Sequence, residues 1–288
     1  MTTSNLPVLA DLGDDLSPDQ HTALMTLIDQ FSPATGGATG GPDGLDIADD
    51  GMTALTLPTL KVKQRMTTDP GCPTDAKEGD MYTTTGDILD PETKFVPVAI
   101  WTEHIKWEPG GGSNIECKSP GKNPAGGGMS GNTYGSCSEC PDLPWRDGKK
   151  QDCDRTLVGV ILTEDIRLLM VRFSSTSYPA GSTLVRFVRA LPSMWAKMFQ
   201  LGTDKRKNTK GEFFVFETRA TTEVPNDDLQ RVAAHFCSQV KEARNEFLAT
   251  YYTSLDEPGS KPEGEGETII TTVSVGADAE EPGYDTEL

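Results

Sequence analysis

The segment Phe95-Val-Pro-Val-Ala-Ile-Trp-Thr-Glu-His-Ile-Lys-Trp107 decides the architecture. It is rich in β-branched and aromatic residues, the composition of a strand on a pleated, half-buried surface. Upstream, Ala54-Leu-Thr-Leu-Pro-Thr-Leu-Lys-Val-Lys-Gln-Arg65 alternates and predicts another strand, with Pro58 marking an edge or a bulge. Residues 66–79 read as loop and 80–85 as a short strand. Downstream, strand signals resume at 156–162 and 166–174, and again at 198–202 and 212–220, the last two joined by a polar turn. Residues 178–200 are helical in part, with Leu184, Phe187, Val188 and Leu191 on one face and Pro192 ending or kinking it. Residues 226–251 give the clearest helix, capped by Asn226, with Leu229, Val232, Ala233, Phe236, Val240, Ala243, Phe247 and Leu248 on one face. The strands are not separated by regular helices, so the pattern predicts a mainly β (α+β) body, a small β-barrel or half-open sheet, and not a doubly wound one.

Charge divides the chain more sharply than hydropathy does. The formal net charge is -18 over 288 residues. Residues 1–60 hold nine Asp and no Lys, Arg or Glu, and residues 254–288 hold ten acids and the single base Lys261. The middle carries the remaining 25 acids and 25 bases and is neutral. A neutral body can carry a basic groove, for which acidic tails compete. The expected organisation is an acidic flank over 1–52, a body over 53–253, and a disordered acidic tail over 254–288. In the flank, residues 17–31 predict a short helix capped by Ser17 or Asp19, and 33–44 a Gly-rich linker. Only 35% of residues are apolar, no run approaches a membrane span, and residues 1–12 lack a signal-peptide pattern. A membrane protein and a classically secreted one are therefore not expected.

Four of the six cysteines lie within 37 residues: Cys117, Cys137, Cys140 and Cys153. Cys137-Ser-Glu-Cys140 is a knuckle whose two-residue gap lets both thiolates reach one ion from a tight turn. Nine glycines in residues 108–135 leave this segment without a core of its own, and a metal would supply the missing folding energy. A structural zinc site in an insertion over about 108–154 is the leading reading. Two disulfides, or four unrelated reduced thiols, are the alternatives. Four thiolates leave no open position for catalysis. His104 is a substitute ligand for Cys117 that falls inside a strand pattern, Cys72 sits in a loop, and Cys237 adjoins the last helix's apolar stripe.

Basic and aromatic residues interleave in the body. Lys61, Lys63 and Arg65 alternate on one strand face, and Trp101, Lys106 and Trp107 lie on the next long strand. The predicted polar turn holds Lys205, Arg206, Lys207 and Lys210, with Phe214 just beyond. Such a set suits single-stranded nucleic acid, in which cations follow the phosphates and rings stack on unpaired bases. The bland alternative is a solvated hairpin tip and core aromatics.

The order of blocks resembles a family of tailed-bacteriophage proteins regarded as single-stranded DNA-binding proteins. The matching blocks are Leu60-Lys-Val-Lys-Gln64, the strand ending Trp101 to Trp107, Gly135-Ser-Cys-Ser-Glu-Cys-Pro141 with Trp145 and Cys153, and the stretch from Phe199 through Lys205 and Gly211 to Val215. The resemblance covers about 55–220. It implies an OB-like barrel with a zinc-ribbon-like insertion, single-stranded DNA as ligand, and an acidic tail recruiting phage or host replication and recombination proteins, in the cytoplasm of an infected cell. This tail ends with only Tyr284 and Leu288 where the commonest tails end in a bulky aromatic, and the acidic N-terminal flank lies outside the family pattern. The competing expectation is a zinc-containing phage interaction protein, a virion component or transcription regulator. An enzyme ranks last: there is no phosphate-binding Gly loop, no His-Glu-x-x-His and only three histidines.

Overall fold

The computed structural model describes residues 16–31, 57–108, 115–142, 152–209 and 211–256. The predicted linker over 33–44 and nearly all of the acidic tail lie outside them. In chain order the elements are α1 (Pro18–Phe31), β1 (Thr59–Val62), β2 (Met81–Thr83), β3 (Ile88–Leu89), β4 (Lys94–Trp107), β5 (Ile115–Ser119), β6 (Ser130–Gly131), β7 (Gly135–Ser136), β8 (Cys153–Thr163), β9 (Leu168–Phe173), α2 (Tyr178–Arg189), β10 (Phe199–Asn208), β11 (Gly211–Ala220) and α3 (Asp227–Asp256). The fold is mixed α+β and mostly sheet. Nine strands form one curled sheet in the order β11-β10-β4-β8-β9-β1-β2-β3, with β5 on the free end of β4. Every pairing is antiparallel except β1 with β9.

Strand β4 organises the sheet. It pairs along most of its length with β8, while its other edge is shared between β10 at Phe95 and β5 from His104 onward. Strands β8 and β9 read as nearly continuous apolar runs because both their faces are covered. One face holds Phe95, Leu157, Ile161, Leu169, Val171 and Phe173 inside the curl, plugged by Ala180 and Leu184 of α2. The alternate residues Val96, Val158, Val160, Leu162 and Met170 point outward against Leu24 and Leu27 of α1 and Leu229, Val232 and Phe236 of α3. The N-terminal helix thus docks on the body. Its start is a reciprocal cap: Ser17 N–H donates to Gln20 Oε1 (2.9 Å) and Gln20 N–H to Ser17 Oγ (3.2 Å). Helix α3 starts as expected, with Leu229 N–H donating to Asn226 Oδ1 at 2.8 Å.

The curl brings β11 back toward β1 without a ladder between them. The Gln64 side chain acts as the missing strand: Phe214 N–H donates to its Oε1 (2.9 Å) and its Nε2 donates to Phe214 O (2.8 Å). Thr203 Oγ1 donates to Gly79 O at 2.8 Å beside it. Gly79 has φ +90, and a Cβ there would stand 2.7 Å from the Phe214 ring, so only glycine fits.

Three expectations change. Pro58 precedes β1 and marks neither an edge nor a bulge: β1 lies between β9 and β2, and Pro58 O accepts Met170 N–H at 2.9 Å. The basic stretch near 205 is no turn, because β10 and β11 pair continuously from Phe199–Ala220 to Asn208–Gly211. Ala243 of α3 and Phe187 of α2 are exposed.

Candidate metal centre and nucleic-acid surface

Register builds the first site. Lys106 on β4 stands directly opposite Cys117 on β5 and opposite Cys153 on β8, so both thiols share its face of the sheet. Two residues back, His104 faces Ser119 in the same layer. The small β6–β7 hairpin then delivers Cys137 and Cys140 from the opposite side, with Cys137 N–H held by Met129 O at 2.8 Å. All four predicted cysteines, with His104, Lys106, Ser119 and Tyr134, line one cavity of about 20 Å³. That is room for a single small ion or water. Gly131 permits the approach, since a Cβ there would stand 2.4 Å from Cys117 Sγ.

Burial raises the Cys153 thiol to about 12, and its three neighbouring cysteines push the same way. Burial also raises Cys137, against a partial opposing pull from Ser119. A bound cation reverses this balance by stabilising thiolates. The His104 Nδ1 atom is buried without a hydrogen-bond partner beside the cavity. The donor set and the space thus fit a tetrahedral thiolate ion. Among the described residues no three His, Cys, Asp or Glu already form a metal-holding cluster. The four thiols line the cavity, where a zinc ion would need four bonds of ~2.3 Å. All six cysteines are free of disulfides.

Helix α3 braces this module. Tyr251 Oη donates to Lys118 O (2.7 Å), Tyr252 Oη to Gly121 O (2.5 Å), and Arg244 to Pro120 O (2.8 Å). The Arg244 guanidinium also lies 4.4 Å from the Trp101 ring centroid, and burial lowers its pKa to about 10. Beneath it, Trp101 Nε1 donates to Glu103 Oε1 (2.9 Å), and Glu103 Oε2 meets Arg172 (2.9 Å) and Lys118 (3.9 Å). Burial alone would raise the Glu103 pKa, but Arg172, Lys118 and the Trp101 hydrogen bond hold it below its ordinary value. Sequence reading missed this cluster. The cationic partners of Glu103 come from other elements, Lys118 from β5 and Arg172 from β9, which no local pattern links to it.

The predicted DNA-contact residues fall in different surroundings. Four are occupied structurally. Lys61 is buried, with Nζ 2.5 Å from Asp69, which also accepts from Tyr82. Lys106 is clamped between Asp142 (2.8 Å) and Glu116 (3.1 Å) and lies over Tyr134. Trp101 is covered by Arg244. The Phe214 ring lies against Gly79, and its backbone is held by Gln64. These four do not present themselves to a nucleic acid, because each is held by a closer partner in a loop, strand or helix packed against it. Lys63 donates to Ala76 O (2.8 Å), and Trp107 is half-buried where β4 bulges opposite Ile115. Four are exposed: Arg65 in the β1–β2 loop, and on β10 Lys205 and Lys207 on one face and Arg206 on the other. Lys205 pairs with Glu212 (2.6 Å) and Arg206 with Asp204 (2.9 Å), both in water. Surface pairs of this kind contribute at most about 1 kcal/mol and yield to a phosphate. Lys210 lies outside the described residues.

The comparisons add no relative: no protein-family model, curated protein or solved structure matches the chain.

Proposed function

We propose that the chain is a sequence-tolerant, non-enzymatic single-stranded DNA-binding protein of bacteriophage replication or recombination, working in the cytoplasm of the infected cell. In this reading the curled sheet is an OB-like, partly open barrel. Cys117, Cys137, Cys140 and Cys153 hold one structural zinc that stiffens a zinc-ribbon-like insertion. The acidic tail competes for the basic surface and offers Tyr284 and Leu288 to a phage or host protein.

One observation carries the reading. The exposed cations of β10 stand on a continuous hairpin arm, pinned by Gln64 next to the loop that bears Arg65. Lys205 is paired in register with Phe214, the residue that Gln64 holds, which brings the basic stretch of β10 near the segment that bears Arg65. Lys205 and Lys207 lie on one face of the arm and Arg206 on the other, and cations held on such an arm follow a flexible backbone without reading its sequence.

Fluorescence anisotropy with single- and double-stranded oligonucleotides at two salt concentrations tests it. Tight, salt-sensitive binding to the single strand alone is expected. Replacing Lys205, Arg206, Lys207 and Lys210 together by Ala should weaken binding and flatten the salt dependence, by about 0.7 in log–log slope per lost phosphate contact. Equal affinity for duplex, or an unchanged slope in the quadruple variant, would overturn the assignment. A second reading, a zinc module that binds protein, draws on the exposure of Ile115 and Tyr134 on the cysteine-bearing hairpins. It predicts that Ile115→Ser with Tyr134→Ser abolishes a partner interaction while nucleic-acid affinity is unchanged.

A further inference from the structure

Residues 166–203 contain no Asp or Glu, in a chain that holds 44 of them, and they carry five bases. Two of the five are spoken for: Arg167 pairs with Asp165 (2.6 Å) and Arg172 with Glu103 (2.9 Å). Arg186 and Arg189 on α2 are exposed and have no ion-pair partner among the described residues. Between them in sequence, Phe187 leaves 44% of its surface in water, although the helix packs Leu184 into the barrel. Arginines in a last helical turn complement the helix dipole, which accounts for the pair. It accounts neither for the missing carboxylates nor for the exposed ring.

Helix α2 packs along the hairpin arm. Helix α2 starts against β11, where Phe216 N–H donates to Ser177 Oγ (3.2 Å), and Phe216 stands opposite Thr203, two residues from Lys205. The helix ends with Phe187 beside Phe199, its ring 6.2 Å away, at the other end of β10. From Phe199 to Lys207 the strand rises eight residues, or about 26 Å. We propose that the α2 face formed by Arg186, Phe187 and Arg189 is a second contact for the same single strand, extending its path from the hairpin tip along the barrel. The occupant is chosen by chemistry: a polyanion for two free guanidiniums, with an unpaired base for the exposed ring that flanks Arg186. The inference rests on the single-strand reading above.

The test uses the full chain, oligonucleotides of about 4 and about 16 nucleotides, which bracket the site sizes of one binding unit, and salt titrations of each. The double variant Arg186→Ala, Arg189→Ala should leave the short oligonucleotide's affinity unchanged. It should weaken the long one and lower its log–log salt slope by about 1.4, two phosphate contacts' worth. Phe187→Ala should weaken the long one at least about fivefold, the low end of one stacked base, with the slope unchanged. Thermal melts verify that these exposed substitutions leave the fold intact. If the hairpin quadruple variant weakens binding while both α2 variants match the wild type at both lengths, the α2 face has another occupant and this inference is overturned alone. If the wild-type chain binds no single strand at all, the functional reading fails and this inference with it.

Discussion

Replacing Glu103 by Gln is the sharpest test of how this sheet is held together. The carboxylate is 6% exposed and lies against Arg172 and Lys118, themselves 15% and 27% exposed. Gln keeps the size and can still accept from Trp101 Nε1, but it leaves two cations under α3 without a counter-charge. Breaking a buried pair in this way costs about 3–5 kcal/mol. For a body of this size that is a fall of about 6–20 °C in Tm. The pH dependence has a fixed sign. The folded-state pKa of Glu103 is depressed below its ordinary 4.5. Its stabilisation is therefore fully present above about pH 4.5 and is lost as pH falls through the folded value. Differential scanning calorimetry across pH should show a constant gap between wild type and Glu103→Gln near neutrality, narrowing only below about pH 4.5. Adding Arg172→Met to Glu103→Gln should recover part of the loss, because one of the two stranded charges is then gone. A variant within about 0.5 kcal/mol of wild type at neutral pH, or a gap unchanged into strong acid, would refute the argument.

Elemental analysis should find one zinc per chain. Its loading near pH 7 should release at least the Cys137 and Cys153 protons, which burial holds on the metal-free thiols, as acidification of a weak buffer. A folded module without metal would oppose this. Gly131→Ala should weaken zinc retention against a chelator by at least about tenfold, in line with losses from disturbing the residues around a metal site, because the new Cβ would stand 2.4 Å from Cys117 Sγ. Lys106→Ala should leave the single-strand salt slope unchanged, in contrast to the hairpin quadruple variant, since its ammonium is held by Asp142 and Glu116. Deleting residues 257–288 should tighten single-strand binding most at low salt, where a tethered polyanion is least screened, and leave Tm unaltered.

The sequence by itself determined what local periodicity and short spacings can encode. Alternation and β-branched composition located β4, β8 and β9, and Ser17 and Asn226 marked the helix starts, because a strand's period and a cap's geometry involve neighbours a few residues apart. The two-residue gap between Cys137 and Cys140 placed these thiols together for the same reason. Their convergence with Cys117 and Cys153 on one cavity is a matter of register, set by β5 and β8 flanking β4 at Lys106. Tertiary structure alone decided which cations stay free. Lys61 and Lys207 look alike in sequence, yet Lys61 is buried against Asp69 of the β1–β2 loop while Lys207 is exposed, with no ion pair among the described residues. Trp101 reads as a stacking ring until Arg244, 143 positions away in sequence, is laid over it by α3. Gln64 carries no mark of its role in closing the curl onto Phe214. Each outcome depends on what stands across the sheet, and that is fixed by strand order and helix docking, which no local pattern specifies.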